Sequence, residues 1–318
     1  MRLSRFNLLQ CTLMLAVILV SGCKNDSDLD SKGYPKVFKI ALPISNEDLP
    51  DEVFRDMEPM RLYLERKLGV PVRYLQVNGY APTIEALKAK KIHMANLSPF
   101  PYILAREKAD VTAIFCLGKN NGLPTGEYRT AIVSQKSSNI KTMADLKANS
   151  KDLTIAFVDP ASTSGHIVPY NYLKQLGIDP DNDFKKVVFA NNVLAAILTL
   201  ASGKVDIACA QTAAFSRIYK MNKNVSPGDF NFLWISDPIP PTAYCIRNDI
   251  NPEFRKKVTD AYFNVKSDTA AWGAIKRRRA STTGSSIPAD SLKYVPVCDS
   301  MYEGFAQMVK NTKGLKIE

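Results

Sequence analysis

Histidine is almost missing from this sequence: His93 and His166 are the only two in 318 residues. A hydroxyl nucleophile needs a base beside it and a third group to orient that base. With so little imidazole and no GxSxG elbow, a serine hydrolase is a remote alternative and no catalytic residue is expected. The six cysteines show no CxxC spacing, so neither a zinc site nor a redox motif is supported. No metal and no cofactor are expected. The lack of a GxxxxGK[ST] loop removes a nucleotide P-loop. Beyond residue 22 no apolar run approaches the roughly 20 residues that a membrane-spanning helix needs. Low-complexity stretches and long linkers are lacking as well, which leaves one or two globular domains with ample core.

What is present begins with Arg2 and Arg5, followed by the apolar stretch CTLMLAVILV, the order of a secretion signal. Val20-Ser21-Gly22-Cys23 then resembles the lipobox of bacterial lipoproteins. The resemblance implies removal of residues 1–22 as a signal peptide and lipidation of Cys23. Several acyl chains, at about 0.8 kcal/mol per buried CH₂, make a stable membrane anchor. The polar run after Cys23 reads as a tether over 23–35. Export excludes nucleic acid as a partner. The expected location is the cell envelope, facing the periplasm, with the inner or outer membrane left open. The formal charge of +11 suits an anionic ligand or membrane face. Cys116, Cys209, Cys245 and Cys298 lie too far apart to assign pairs, and Cys209, inside IACA, is expected to be buried.

Strands and helices alternate. Val37–Leu42 reads as a strand, Pro59–Leu68 as a helix stopped by Gly69, and Val72–Val77 as another strand, which argues for parallel βαβ units. One helix-turn-strand unit occurs twice. Ile84, Leu87, Lys91, Ile92, His93, Met94 and Ala95 match Ile197, Leu200, Lys204, Val205, Asp206, Ile207 and Ala208 at a constant offset. Both strands end in polar segments, Asn96-Leu97-Ser98-Pro99 and Cys209-Ala210-Gln211-Thr212. Ligands of open parallel sheets bind outside the strands' carboxyl ends, so two related lobes facing each other across a cleft are expected. Strands at Tyr128–Ser134 and Tyr244–Arg247 would carry the chain across. Lobe one would then comprise 36–129 with 240–318, and lobe two 130–239.

The densest signal is DLTIAFVDPASTSGHIVP, residues 152–169. A strand runs into Asp159-Pro160, then into Ser162, Thr163, Ser164 and Gly165, then into a helical segment. Free N–H groups and the positive dipole end at a helix start suit an anion. The hydroxyls add donors, and Gly165 would let an anion approach the backbone closely. A simple cap needs one hydroxyl, and three exceed it.

These residues resemble the phosphate/phosphite/phosphonate-binding proteins of ATP-driven (ABC) importers. Further matches are Asn78-Gly79-Tyr80-Ala81, Lys204-Val205-Asp206 and Phe232-Leu233-Trp234-Ile235-Ser236 with Arg247, so the likeness spans roughly Lys36 to Val297. It implies an α/β, two-lobed periplasmic-binding-protein-like (type II) fold with a two-strand hinge. It implies too that Ser162, Thr163, Ser164 and Gly165 hold a small oxyanion with help from Tyr80, that permease subunits are partners, and that the chain is not an enzyme. A ligand-sensing protein of a receptor or two-component system is the alternative. Ser98, His166 and Asn192 complete the expected ligand set. Asn192 stands in the stretch where phosphonate binders tend to carry a histidine, and His93 replaces a first-lobe acid. Ala213 and Thr242 occupy positions where aminoalkylphosphonate binders carry acids, so an ammonium-bearing ligand would be left unpaired at a cost of several kcal/mol.

Overall fold

The computed structural model describes residues 27–42, 50–125, 128–282 and 287–312. The expected signal peptide and Cys23 lie outside the described residues. The first stretch of chain contains β1 (Phe38–Leu42), α1 (Pro50–Leu68), β2 (Val72–Gln76), α2 (Tyr80–Lys88), β3 (Met94–Leu97), α3 (Pro99–Ala109) and β4 (Val111–Lys119). Then follow β5 (Thr130–Gln135), α4 (Met143–Asn149), β6 (Thr154–Phe157), α5 (Val168–Gln175), β7 (Lys186–Phe189), α6 (Val193–Ala201), β8 (Ile207–Gln211), α7 (Thr212–Met221) and β9 (Phe230–Ile235). The chain closes with β10 (Ala243–Arg247), α8 (Pro252–Phe263), α9 (Thr269–Thr282), β11 (Leu292–Pro296) and α10 (Ser300–Asn311).

Two mixed sheets result, ordered β11-β4-β10-β3-β1-β2 and β7-β6-β8-β5-β9. In the first, β1 pairs in parallel with β2 and β3. In the second, β6 pairs in parallel with β7 and β8. Each sheet also accepts one antiparallel strand that follows a crossing of the chain. β5 enters between β8 and β9, and β10 returns between β3 and β4. Helices cover both faces of each sheet, which is why the inner strands are apolar almost throughout, while the edge strands β2, β7 and β9 are partly exposed. On one face of the first sheet Phe38, Ile40 and Phe115 pack on Leu64, Phe254 and Trp272; on the other, Ala95 and Cys116 meet Leu87, Tyr102 and Tyr302. Cys116, Cys209 and Cys245 are buried free thiols, and Cys298 is an exposed one. Among the described residues no helix is long and apolar enough to cross a membrane.

The repeated unit is visible in the hydrogen bonds. Ala89, Lys90 and Lys91 donate to the carbonyls of Glu85, Leu87 and Ala86, and Ser202, Gly203 and Lys204 donate to Leu198, Leu200 and Thr199 in the same pattern. Lys90 (φ 57°) and Gly203 (φ 71°) both take the left-handed conformation that turns the helix into the strand. At the next matched position His93 Nδ1 accepts the Lys39 N–H at 2.9 Å, and Asp206 Oδ2 accepts the Thr154 N–H at 2.7 Å. Each side chain thus satisfies the N–H of the neighbouring strand's entry. The first-lobe histidine does what the second-lobe carboxylate does.

The tether ends earlier than the composition implies. From Asp28 the segment is held on the first sheet: Asp30 N–H donates to the Tyr34 carbonyl, Lys36 N–H to that of Asp28, and Asn251 Nδ2 to that of Lys32 at 2.8 Å. The Tyr34 ring packs at a tilt against Phe254, with ring centroids 5.4 Å apart. Arg247, only 2 % exposed, reaches Asp28 Oδ2 at 2.6 Å and Asp249 Oδ2 at 2.9 Å. A buried guanidinium is tolerated only with its charge paired and its donors satisfied. Asp28 supplies part of that pairing, so the polar composition of this segment serves a bound hairpin rather than a free linker.

Candidate functional site

Helical starts follow the carboxyl ends of several parallel strands. α2 follows β2, α3 follows β3, the turn at Thr163–Ile167 follows β6, α6 follows β7 and α7 follows β8. Each contributes the positive end of a backbone dipole. α3 begins at Ser98 with Pro99 in its first turn, and proline has no N–H to leave unsatisfied there. Asp159 Oδ1 accepts the Ala161 N–H at 2.8 Å and so fixes the turn that follows β6.

That turn is a π-helical one, Thr163–Ile167, continuing into α5. Ser162 is its cap: the Oγ accepts the Gly165 N–H at 3.0 Å. One hydroxyl therefore does what the capping reading requires. Thr163 Oγ1 accepts the Phe100 N–H at 2.9 Å and lies 3.1 Å from Ser98 Oγ, tying the turn to the start of α3 on the other sheet. Ile167 extends this contact by packing into the first sheet's core. The carbonyl of Ser164 accepts the Thr130 hydroxyl. The N–H groups of Thr163 and Ser164 find no acceptor among the described residues, as the first donors of a helical start are left to do.

Two phenols complete the cluster. The Tyr80 hydroxyl sits among Ser98 and Ser162; burial pushes its acidity down, so the pKa is raised, with the neighbouring hydroxyls acting the other way. Tyr128 lies beside Ser164, Ser98 and Thr163, and burial followed by the nearby Tyr80 phenol raises its pKa too. Both remain neutral O–H donors near neutral pH. Among the described residues no group of three or more His, Cys, Asp or Glu is placed to hold a metal ion.

The structure thus gathers Ser162, Thr163, Ser164, Tyr80 and Ser98, and adds Tyr128. Reading 128–134 as a strand missed this residue. The strand starts at Thr130, and Tyr128 belongs to the crossing segment, where its ring is free to turn toward the cluster. An aromatic residue just ahead of a crossing strand was the available signal.

Three expected contacts have other duties. His166 Nδ1 faces the Pro160 carbonyl at 2.8 Å, and its ring packs edge-on against Phe157, Tyr170 and Phe189. Burial lowers its pKa, so it is a neutral packing residue behind the turn. Asn192 Oδ1 caps α6 by accepting the Ala195 N–H at 2.7 Å. Gly165 is required for packing: a Cβ there would lie 2.3 Å from Val158 Cγ2. The missing side chain makes room for the strand end behind the turn.

Comparison with known proteins identifies the family. The chain is 27 % identical over 252 residues to the phosphonates-binding periplasmic protein of Escherichia coli (strain K12), covering 79 % of this chain and 72 % of that one. It is 23 % identical over 291 residues to the phosphate-import protein PhnD of Mycolicibacterium smegmatis, covering 83 % and 88 %. The fold matches that of PhnD1 from Prochlorococcus marinus (MIT 9301) in complex with methylphosphonate, with a TM-score of 0.66 at 18 % identity over 86 % of this chain and 97 % of that one. Residues 44–290 match the family model described as ABC transporter, phosphonate, periplasmic substrate-binding protein. The chain belongs to this family of periplasmic solute-binding proteins of phosphonate ABC importers.

Proposed function

We propose that this chain captures a small tetrahedral oxyanion, a phosphate, phosphite or small phosphonate, between its two lobes and presents it to the permease subunits of an importer. The observation that carries the reading is the joining of the Ser162–Ser164 turn to Ser98 and Phe100 of the other sheet, beside the Tyr80 and Tyr128 phenols, with two N–H groups that find no acceptor among the described residues. These are neutral donors, all but Tyr128 on helical starts. They stabilise an anion by hydrogen bonds and dipoles rather than by a counter-charge. In this reading lobe one comprises 36–129 with 240–318 and lobe two 130–239. The relatives named for phosphate import and phosphonate binding, and the methylphosphonate complex of the structural neighbour, support the ligand class. Ala213, in the first turn of α7, and Thr242, just before β10, supply no carboxylate for an ammonium group. Lipidation of Cys23 would hold the protein at a membrane of the cell envelope.

Tyr80→Phe and Tyr128→Phe remove one hydroxyl each and leave the ring. A hydrogen bond to a charged group contributes about 1.5–3 kcal/mol. Each substitution is therefore expected to weaken phosphate or methylphosphonate binding by about tenfold or more in titration calorimetry. Unchanged affinity in both variants would sink the proposed grip.

A further inference from the structure

The serine-rich turn and α5 make one continuous helical segment whose faces serve different sheets. On one face the His166 ring meets Phe157 and Phe189, and Leu173 joins the second sheet's core with Ile155. Thr163, Ile167 and Asn171 follow at intervals of four, the spacing that keeps side chains close to one helix face, and all three reach elements of the first sheet. Thr163 Oγ1 accepts the Phe100 N–H of α3 at 2.9 Å. Ile167, 1 % exposed, is part of the core that Leu97, Tyr102 and Tyr302 build. Asn171 Oδ1 accepts the hydroxyl of Thr312, at the end of α10, at 2.8 Å. Val168 and Met308 pack against the same core. Thr312 is itself buried, so water competes little for its bond.

Each of these contacts joins a residue between the two chain crossings to residues outside them. The N–H groups of Thr163 and Ser164 take no part. We propose that Thr163, Ile167 and Asn171 form a latch, closed on Phe100, the first sheet's core and Thr312, that holds the two lobes together with or without an anion. Asn171, Ile167 and Thr312 are then positioning residues: they set the fraction of unliganded protein in which the donors of both lobes already face each other. The inference rests on the two-lobed grip proposed above and adds what keeps that grip assembled. Apparent affinity is intrinsic affinity scaled by the ready fraction, so loosening the latch weakens every anion by the same factor. Parting the lobes there would also expose Ile167 to water, which is unfavourable for an apolar side chain.

Titration calorimetry on the mature chain with phosphate and methylphosphonate, together with small-angle X-ray scattering of the unliganded and anion-saturated protein, tests this. In Asn171→Ala the Thr312 hydroxyl keeps the Met308 carbonyl, 2.8 Å away, so the end of α10 is not left with an orphaned donor. Loss of one hydrogen bond is expected to weaken both anions by one shared factor of about twofold to tenfold. The unliganded radius of gyration is expected to rise above that of the parent chain and to return to it at saturating anion. Thr312→Val removes the same bond, so the double variant is expected to lose no more affinity than either single one. Ile167→Ala, the larger lesion, is expected to enlarge the unliganded radius further. A lower denaturation midpoint with the unliganded radius and both affinities unchanged would reduce these contacts to packing and overturn the latch, as would factors that differ between the two anions. Should the parent chain bind neither anion, the grip falls, and the unliganded radii of the variants still decide the latch: equal radii overturn it.

Discussion

His93 shows how a residue exchange can keep one function while adding a property. Its Nδ1 accepts the Lys39 N–H as Asp206 accepts that of Thr154, but only the histidine loses its acceptor on protonation. Burial, with Arg247 beside it, lowers the His93 pKa from its ordinary 6.5 to about 4. Nε2 lies 2.9 Å from Asp28 Oδ2 but off the line of a good hydrogen bond, so this contact does not reverse the shift. The folded state therefore binds a proton less readily than the unfolded state. Stability from this group is complete above pH 6.5 and is lost as the pH falls toward 4. His93→Asn offers a similarly placed acceptor that does not titrate. Its denaturation midpoint is expected to fall less between pH 7 and 4.5 than that of the parent chain; parallel profiles would contradict the assignment. Gly165 allows an independent test of packing. Gly165→Ala forces a methyl group onto Val158 and is expected to destabilise by about 1–3 kcal/mol. Val158→Ala in the same chain should recover part of that loss in urea unfolding.

Among the elements, the duplicated helix-turn-strand unit was the most legible feature, because its apolar spacing and its turn are both local. Ile84 and Leu87, like Ile197 and Leu200, are buried where the spacing puts them. The unit also carries a comparison within one molecule, since Lys90 holds the left-handed turn that Gly203 holds in the other copy. A side chain in that conformation costs roughly 1–2 kcal/mol. Lys90→Gly is expected to gain up to about 1 kcal/mol, and Gly203→Ala to lose about 1 kcal/mol, in matched unfolding measurements. Opposite signs at equivalent positions are the diagnostic result. The serine-rich turn was legible as an anion-shaped helical start, but the duties of its hydroxyls were not. Thr163 answers to Phe100 and Ser98, and Ser162 to Gly165. Only the first of these partnerships spans the two sheets, and no local pattern in the sequence encodes it.

For the molecule as a whole, two lobes and a double crossing follow from strand order, which alternation and the repeat already suggested. Tyr128 and Asp28 escaped for one reason: each acts on residues far away in the chain. Asp28 meets Arg247, and a polar segment near the start of the sequence gives no hint of a buried guanidinium waiting for it. Asp28→Ala would leave Arg247 with Asp249 as its remaining carboxylate partner. The expected cost is about 3–5 kcal/mol, the range for breaking a buried pair, read as a lower denaturation midpoint with anion affinity retained. A change within 0.5 kcal/mol would show that the hairpin is merely laid on the surface. The hairpin grips the sheet at the entry of β3 and the end of β10, at the opposite end of β3 from Ser98 and the start of α3. Cys23 precedes Asp28 by only five residues, a reach of about 17 Å even when fully extended. A lipid on Cys23 would therefore act as a short mooring rather than a long leash, keeping the heel of lobe one at the bilayer and limiting the heights and tilts from which the protein can meet a partner in the same membrane.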